Sequence, residues 1–296
     1  MWNSRLKLVG IFCVFGTTIA YGLIPSVSFL SFEAGISTET VLFSKFFYAA
    51  ILIWIYIFIK KFQVKLEKDQ IKPVIIVCVS YIALATTLYF AFDYISGSLA
   101  TIVSFTFPAM IVAIEMIRKI EPVKISKIFA IVISAIGMVL VIWGPDMSGN
   151  IVGIAFAFGT AISYVFYIFG LAAKPVKRMN SFVVTGYIIL TSGIFNLGRC
   201  IIAGEPIFVE NLSQLGYMLF LAVVCAFLAI ILNTIGIKLI GAGNAAIINT
   251  VEPLFACIFG YILVGDILTQ NIIIGGIFIV GAVLIANWPA KSKSKL

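Results

Sequence analysis

The chain has no histidine, and only 11% of its 296 residues are charged. The lack of histidine removes the commonest general base and the commonest zinc ligand. The five cysteines fall in apolar stretches and never form a Cys-x-x-Cys pair, which is typical of small buried side chains. Phosphate-binding loops and nucleophile-elbow motifs are also missing. We therefore expect no enzyme activity, no catalytic residues, no metal, no cofactor and no ATP drive within this chain.

Apolar residues are what the chain has in excess. Hydrophobic residues make up 62% of it, and its mean hydropathy is +1.18. Because a soluble domain carries roughly 25% charged residues, we expect membrane lipid to be the solvent for most of this exterior. The net charge of +8 does not indicate nucleic-acid binding, since the basic residues are scattered over short loops and do not form one face.

Ten apolar segments are near the length of about 20 residues that a helix needs to cross roughly 30 Å of hydrocarbon. They predict an all-α integral membrane protein with ten transmembrane helices, which we call crossings 1 to 10. The predicted crossings are 7–29, 40–59, 73–95, 98–117, 124–143, 151–173, 181–203, 214–237, 244–264 and 270–288.

Positive charge predicts the orientation of these crossings. With the N-terminus inside, 18 of the 20 lysines and arginines lie in inner loops or at inner helix ends, and the two left over, Lys45 and Arg199, lie within crossings 2 and 7. We therefore expect a multi-pass protein of the plasma (inner) membrane with both termini cytoplasmic. Residues 289–296 are then a basic cytoplasmic tail.

Two gap-free internal matches indicate a duplication. Residues 9–21 match residues 152–164 at eight of thirteen positions, and residues 96–143 align with residues 241–288. Repeats of this kind in a membrane protein are typical of transporters.

The duplication predicts two five-helix repeats, 1–143 and 150–288, joined by a linker at 144–149. Five crossings per repeat place the second copy in the membrane upside down relative to the first. Two such halves can open a central site to either side by exchanging their conformations, which is the physical basis of alternating access.

Crossing 9 reads NTVEPLFACIFGYILVGD, in which an acid and a proline precede an apolar run that ends on Gly265 and Asp266. Together with the repeats, this resembles the EamA-type branch of the drug/metabolite transporter superfamily, whose signature is a proline in the fourth helix of each repeat. The first repeat departs from the pattern, because Phe107 and not glutamate precedes Pro108.

This resemblance covers almost the whole chain and implies transport through a central cavity lined by crossings 1, 3, 4, 6, 8 and 9. It is nearly silent on substrate, because relatives are linked to amino acids, nucleosides, quaternary amines, cofactors and drugs.

Glu252 is the sharpest candidate for a functional residue. It lies about nine residues into crossing 9, or roughly 13 Å, which is close to the membrane midplane. A carboxylate at that depth is costly and must face protein or water. Two functions fit it, the counter-ion of a cationic substrate or a proton carrier, and the alternative is a structural hydrogen bond. Pro253 and its repeat mate Pro108 are predicted gating positions.

The other candidates are aromatic and polar residues within the crossings. Aromatic rings can stack on a ligand or sit against a quaternary ammonium group, and ordinary packing or hydrogen bonding between helices is the alternative. The predicted substrate-binding residues are Glu252, Asn249, Tyr21, Tyr81, Tyr89, Tyr164, Ser104 and Asn233.

Two basic residues lie within crossings. Lys45 in crossing 2 is a predicted coupling residue, either in a salt bridge that breaks during the cycle or as an anchor for a substrate carboxylate. The alternative for Lys45 is snorkelling to the outer headgroups. Arg199 is nearer the outer end of crossing 7, and we expect it to snorkel. Asp266 is expected to be a structural cap or loop anchor.

These features predict a secondary active transporter that moves a small organic metabolite, such as an amino acid or amine, by alternating access, with proton coupling left open. The first alternative is a facilitative exchanger of nucleosides, cofactors or drug-like amphiphiles. A distant alternative is an integral-membrane lipid-modifying enzyme. The expected partners are a small-molecule substrate and membrane lipid, with protons and a second copy in a homodimer as open options.

The charge asymmetry generates a topology prediction. Reporter fusions after residues 65, 122, 176 and 296 should report a cytoplasmic location, and fusions after residues 35, 147 and 208 should report an external one. The measurement is paired phosphatase and fluorescent-protein activity in intact cells. An external C-terminus would contradict two inverted five-helix repeats.

Overall fold

The computed structural model describes residues 2–117, 125–142, 150–240, 245, 248–249 and 251–287, and this part of the chain is almost entirely helical. The predicted linker at 144–149 and the predicted tail at 289–296 lie outside the described residues. The helices are α1 (Trp2–Glu33), α2 (Thr38–Ile59), α3 (Lys68–Phe92), α4 (Gly97–Ser104), α5 (Phe107–Ile117), α6 (Ile125–Ile142), α7 (Ile151–Ala172), α8 (Lys174–Arg178), α9 (Ser181–Ala203), α10 (Leu212–Ile240), α11 (Glu252–Val264) and α12 (Gln270–Asn287).

The length and composition of these helices are those of membrane-spanning segments. Among the described residues, six helices are long and apolar enough to cross a bilayer. Their outer faces carry large apolar side chains that would be unstable in water, since Phe12, Ile55, Phe58, Ile59 and Phe166 each expose more than half of their surface. The all-α integral membrane fold predicted from the sequence is therefore confirmed.

Crossing 4 differs from the continuous helix that its sequence predicts. Helix α4 ends at Ser104, a turn follows, and α5 begins at Phe107. The break has a local cause, because Pro108 lacks a backbone donor and disfavours the helical conformation of the residue before it. In the second repeat, α11 likewise begins one residue before its proline, at Glu252. Both repeats thus start a helix at the matched proline.

Helix α10 contains a wider turn in its middle. Residues Leu221–Leu228 form a π-helical segment, and this segment packs against α2. A π segment shifts the register between the helical turns on its two sides. Cys225 in the segment lies near the Lys45 side chain. The irregularity therefore falls beside a buried charged residue.

Helix packing is reciprocal between the two repeats. Helix α1 of the first repeat packs on α10 of the second. Their repeat mates are α7 and α3, and these two helices also pack on each other. Helix α2 packs on its own mate α9, and α6 packs on its mate α12. This is the contact pattern that a two-fold relation between the halves produces. That the axis lies in the membrane plane stays a prediction.

Asp266 ties the two halves together at one end of the molecule. Its carboxylate accepts a 2.6 Å hydrogen bond from the Ser98 hydroxyl, at the start of α4. The carboxylate also faces the Ser98 backbone amide at 3.4 Å, near the positive end of that helix. Asp266 is thus the cap and loop anchor that the sequence predicts. Its repeat mate Glu121 lies outside the described residues.

The close approach of α1 and α11 generates a stability prediction. A methyl group on Gly22 would lie 2.6 Å from the Phe255 Cβ and 3.1 Å from the Ala256 amide nitrogen, and neither atom can move freely. We expect Gly22→Ala to destabilise the protein by about 1–3 kcal/mol, as overpacked cores do. The measurement is the Tm of the purified protein in detergent.

A matched control for this substitution is Gly198→Ala in α9. A methyl group on Gly198 would meet no atom within 4 Å, and alanine favours the helix. Its Tm should equal or exceed that of the wild type. An equal Tm for Gly22→Ala and the wild type would contradict the packing of α1 on α11.

Candidate functional site

A small cavity lies at the centre of the protein, between α1, α3, α7, the broken pair α4 and α5, and α11. Its volume is about 50 Å³. A buried water needs roughly 10–15 Å³ on the same measure, so the cavity has room for a few waters. The lining residues are Tyr21, Ile24, Pro25, Tyr81, Leu84, Leu88, Thr101, Ser104, Phe105, Phe107, Thr160, Tyr164, Tyr167 and Glu252.

Several polar atoms of the lining residues are buried without a hydrogen bond of normal geometry. They are the hydroxyl oxygens of Tyr21, Tyr164 and Tyr167 and the Oε2 oxygen of Glu252. The Tyr164 and Tyr167 hydroxyls lie near Asn233 and the Tyr21 hydroxyl lies near Tyr81, whereas Oε2 of Glu252 has no such neighbour. A buried polar group without a partner costs roughly 1–3 kcal/mol, and a charged one costs more. The cavity wall therefore contains polar atoms that lack hydrogen-bond partners. A polar ligand that bonded to these atoms would be stabilised.

Glu252 owes its position to the helix break. It is the first residue of α11, where the exposed backbone amides give the helix end a partial positive charge that favours an anion. Its carboxylate points into the cavity, and no lysine or arginine of the described part of the chain pairs with it. The helix end thus supplies the favourable field that a basic side chain would otherwise supply.

Aromatic rings form the wall around this carboxylate. Phe107 and Tyr164 are stacked, with ring centroids 4.1 Å apart and planes 18° apart. Tyr164 meets Tyr167 edge to face at 5.9 Å, and Tyr167 lies 5.2 Å from Tyr81. These four rings are a continuous surface contributed by α3, α5 and α7, which we call the ring wall.

Five of the predicted substrate-binding residues line the cavity: Tyr21, Tyr81, Tyr164, Ser104 and Glu252. The Ser104 hydroxyl is not free to donate a hydrogen bond to a ligand, because it donates to the carbonyls of Ala100 at 2.7 Å and Ala157 at 3.2 Å. Their role in substrate binding stays a prediction.

Three predicted residues are buried but do not line the cavity. The Tyr89 hydroxyl is turned away, accepting a 3.0 Å hydrogen bond from Ser28. The Asn233 side chain on α10 lies behind Tyr164 and Tyr167, and none of the lining residues comes from α10. Asn249 is also buried, with its Oδ1 unpaired. The expectation that crossing 8 lines the cavity is therefore corrected, because two tyrosines of α7 stand between.

Tyr167 and Phe105 line the cavity and were missing from the sequence prediction. Tyr167 lies three residues after Tyr164 on α7, so the same helix face carries both. That spacing was the available signal. Phe105 lies in the turn before Pro108, and only the helix break turns it toward the cavity.

Lys45 lies inside the protein and does not snorkel. Only 2% of its surface is exposed, and its amine contacts the faces of Phe46 and Tyr89, at 5.3 Å and 5.1 Å from the ring centroids. Its one hydrogen bond is long, at 3.5 Å to the Tyr89 hydroxyl. The carboxylates of the described residues form no ion pair with it. Cation–π contacts replace a counter-ion there.

Arg199 also has a protein partner, which the sequence does not predict. Its guanidinium donates to Glu39 at 2.7 Å and lies 4.5 Å from the Phe90 ring centroid. Beside this pair, the Thr38 hydroxyl donates to Asp93 at 2.7 Å. Burial raises the pKa of the Asp93 carboxyl. These contacts close one end of the molecule by joining α2, α3 and α9.

The opposite end of the α2–α9 pair is closed by aromatic side chains. Tyr56 and Phe182 have ring centroids 4.7 Å apart. The Trp54 indole donates to the Gly186 carbonyl at 3.2 Å. The two ends of the same helix pair therefore use different chemistry, an ion pair at one and ring contacts at the other.

Comparison with known proteins gives consistent results. The model of the EamA-like transporter family matches residues 8–143 and again residues 151–288. An uncharacterized transporter of Clostridium kluyveri is 23% identical over 70% of this chain and 68% of its own length. An uncharacterized transporter of Archaeoglobus fulgidus is 27% identical over 64% of this chain and 66% of its own.

A third relative is the uncharacterized transporter YcbK of Bacillus subtilis, which is 24% identical over 65% of this chain and 64% of its own length. The matched stretches thus span about two thirds of these relatives. One solved crystal structure superposes with a TM-score of 0.70 at 15% identity, covering 96% of both chains. At that identity the likeness shows the fold alone.

The burial of Lys45 generates a prediction about stability. Replacing a buried charge that lacks a counter-ion with an apolar side chain of similar length removes a desolvation cost. We expect Lys45→Met to have a Tm equal to or above that of the wild type. Tyr89→Phe keeps the ring but removes the hydroxyl that contacts Lys45 at 3.5 Å and accepts a 3.0 Å hydrogen bond from buried Ser28, so it should lower the Tm. A large drop in Tm for Lys45→Met would mean that the charge is compensated.

Proposed function

Because the chain belongs to the EamA-like transporter family, we propose that this membrane transporter moves a small organic metabolite by alternating access, with the central cavity as its substrate site. The family and the relatives above are transporters and not enzymes. This argues against the lipid-modifying enzyme considered from sequence.

One observation carries the assignment of the site. In the described part of the chain, three tyrosine hydroxyls and the Glu252 carboxylate at a single cavity are buried without partners. Native proteins satisfy most buried polar groups, so such a cluster calls for a specific reason. A polar ligand that binds there in transit is such a reason.

The size of the cavity supports a transport cycle. Pockets for small organic ligands are commonly 300–1,000 Å³, whereas this one is about 50 Å³. A substrate therefore requires the halves to separate at one end before it can enter. The ion pair of Glu39 with Arg199 and the ring contact of Tyr56 with Phe182 join α2 to α9 at opposite ends of that helix pair. Breaking one set while keeping the other is a simple route to alternating access.

Glu252 fits two roles within this function. As a proton carrier it would couple transport to a pH gradient, and as a counter-ion it would bind a cationic substrate directly. Its burial and its unpaired oxygen suit either role. Lys45 is the second proposed coupling residue, and Pro108 and Pro253 start the helices that carry Phe107 and Glu252 to the cavity.

The remaining parts of the proposal come from the sequence. We infer cytoplasmic termini and a plasma-membrane location, with a homodimer as an open option. A facilitative exchanger is the second candidate, because exchange uses the same cavity without a coupled proton.

Substitution of Glu252 tests the proposal. A metabolite library screened by thermal shift first identifies a ligand that stabilises the wild type. If Glu252 carries a proton, Glu252→Gln should abolish pH-driven flux in proteoliposomes and leave substrate exchange measurable. If it is the counter-ion, the same substitution should abolish binding.

Glu33→Gln is the matched control, because Glu33 is an exposed acid at the end of α1. It should have wild-type binding and flux. Unaltered binding, flux and pH dependence in Glu252→Gln would leave Glu252 with only a structural role. A library without any ligand and liposomes without any flux would argue against a metabolite transporter.

A further inference from the structure

The charge at the central cavity is one-sided. Glu252 is the one acidic residue among the described lining, which contains no lysine or arginine. Lys45 is buried but lies outside the lining and has its amine against Phe46 and Tyr89. A ligand entering the cavity therefore meets a carboxylate without meeting a cation.

The free hydrogen-bonding capacity of the wall is also limited. Ser104, Thr101 and Thr160 donate their hydroxyls to backbone carbonyls of their own helices. The unpaired hydroxyls are those of tyrosines in the cavity wall. Such a wall offers an anionic or zwitterionic ligand no basic group for its own carboxylate. A wholly neutral ligand would meet Glu252 as a buried carboxyl that takes up a proton, whereas an organic cation can pair with the ionised carboxylate.

The repeat also places an aromatic ring at the cavity. Phe107 occupies the position in the first half that Glu252 occupies in the second. The structure brings both to the same cavity, with Phe107 stacked on Tyr164. Ring faces carry negative partial charge and attract cations, whereas they offer an anion nothing. The asymmetry of the two repeats thus places a carboxylate and an aromatic surface around one space.

We propose that the cavity selects an organic monocation, such as an amine or a quaternary ammonium compound, with Glu252 as its counter-ion and the ring wall as its second contact. This inference rests on the proposed transport function and names the substrate class. The cation satisfies the carboxylate, and an N–H donor of an amine also satisfies a tyrosine hydroxyl oxygen.

The test uses the full-length protein in detergent and a panel of compounds of graded size. The cations are methylammonium, tetramethylammonium, tetraethylammonium and phenethylammonium chlorides. Tert-butanol is the uncharged control of tetramethylammonium size, and glycine betaine and acetate are the zwitterionic and anionic controls. We expect at least one cation to raise the Tm in a saturable way, and the three control compounds to leave it unchanged.

Variants assign the binding to the cavity. Glu252→Gln should abolish the cation-dependent rise in Tm, and Glu252→Asp should keep it. Phe107→Leu should weaken the apparent affinity by about 3- to 30-fold, which is the range expected for loss of a cation–π contact. Phe166→Leu makes the same change at an exposed ring of α7 outside the cavity lining, and it should leave the affinity unchanged. Where Glu252→Gln fails to fold, Phe107→Leu and Phe166→Leu still provide the comparison.

The outcomes separate this inference from the proposed function. Equal cation binding by Glu252→Gln and the wild type would overturn the inference. So would a panel in which no cation binds while a neutral or zwitterionic metabolite is bound and transported, and in that case the transport function stands. Cation binding that requires Glu252, without flux in proteoliposomes, would support the cation site and contradict the transport function.

Discussion

Lipid supplies no hydrogen bonds, so each polar group that this chain places inside the bilayer needs a partner within the protein. Most described groups obey this constraint locally, as Thr160 and Ser104 do by donating to carbonyls one turn back. Four of the nine unpaired side-chain atoms in the described part of the chain belong to residues that line the cavity, namely Tyr21, Tyr164, Tyr167 and Glu252. The other five belong to Ser26, Thr86, Asn233 and Asn249. The candidate site is therefore one of the places where this rule of membrane proteins is not met.

The duplicated architecture explains why the two halves contribute different side chains to the same site. Reciprocal packing of α1 on α10 and of α7 on α3 gives the halves equivalent scaffolds. A perfectly symmetric pair would present the same chemistry to the cavity twice. Here the matched positions before the two prolines differ, with Phe107 in one half and Glu252 in the other. The scaffold keeps the symmetry that the proposed alternating access requires, and in our proposal substrate recognition depends on the positions where the two halves differ.

Periodicity and motifs could predict the crossings, the matched prolines and five of the cavity residues, because these depend on local hydropathy and on position along one helix. They could not predict the depth of a side chain within the bundle. Tyr89 and Asn233 are on inward faces but lie behind or beside the cavity, since α7 side chains stand in front of Asn233. Lys45 and Arg199 illustrate the same limit. A sequence does not show whether a basic side chain within a crossing reaches the membrane surface or contacts a neighbouring helix.

The two closures of the α2–α9 pair rest on different forces. The pair of Arg199 with Glu39 has side chains that are 17% and 21% exposed, so it gains from partial desolvation and remains within reach of salt. At the other end, the contact of Tyr56 with Phe182 depends on apolar burial and ring geometry, which salt hardly affects. A cycle that breaks one closure while keeping the other therefore exchanges an electrostatic contact for an aromatic one. In the proposed cycle, a substitution at either end would therefore shift the balance between the two open states without altering the cavity.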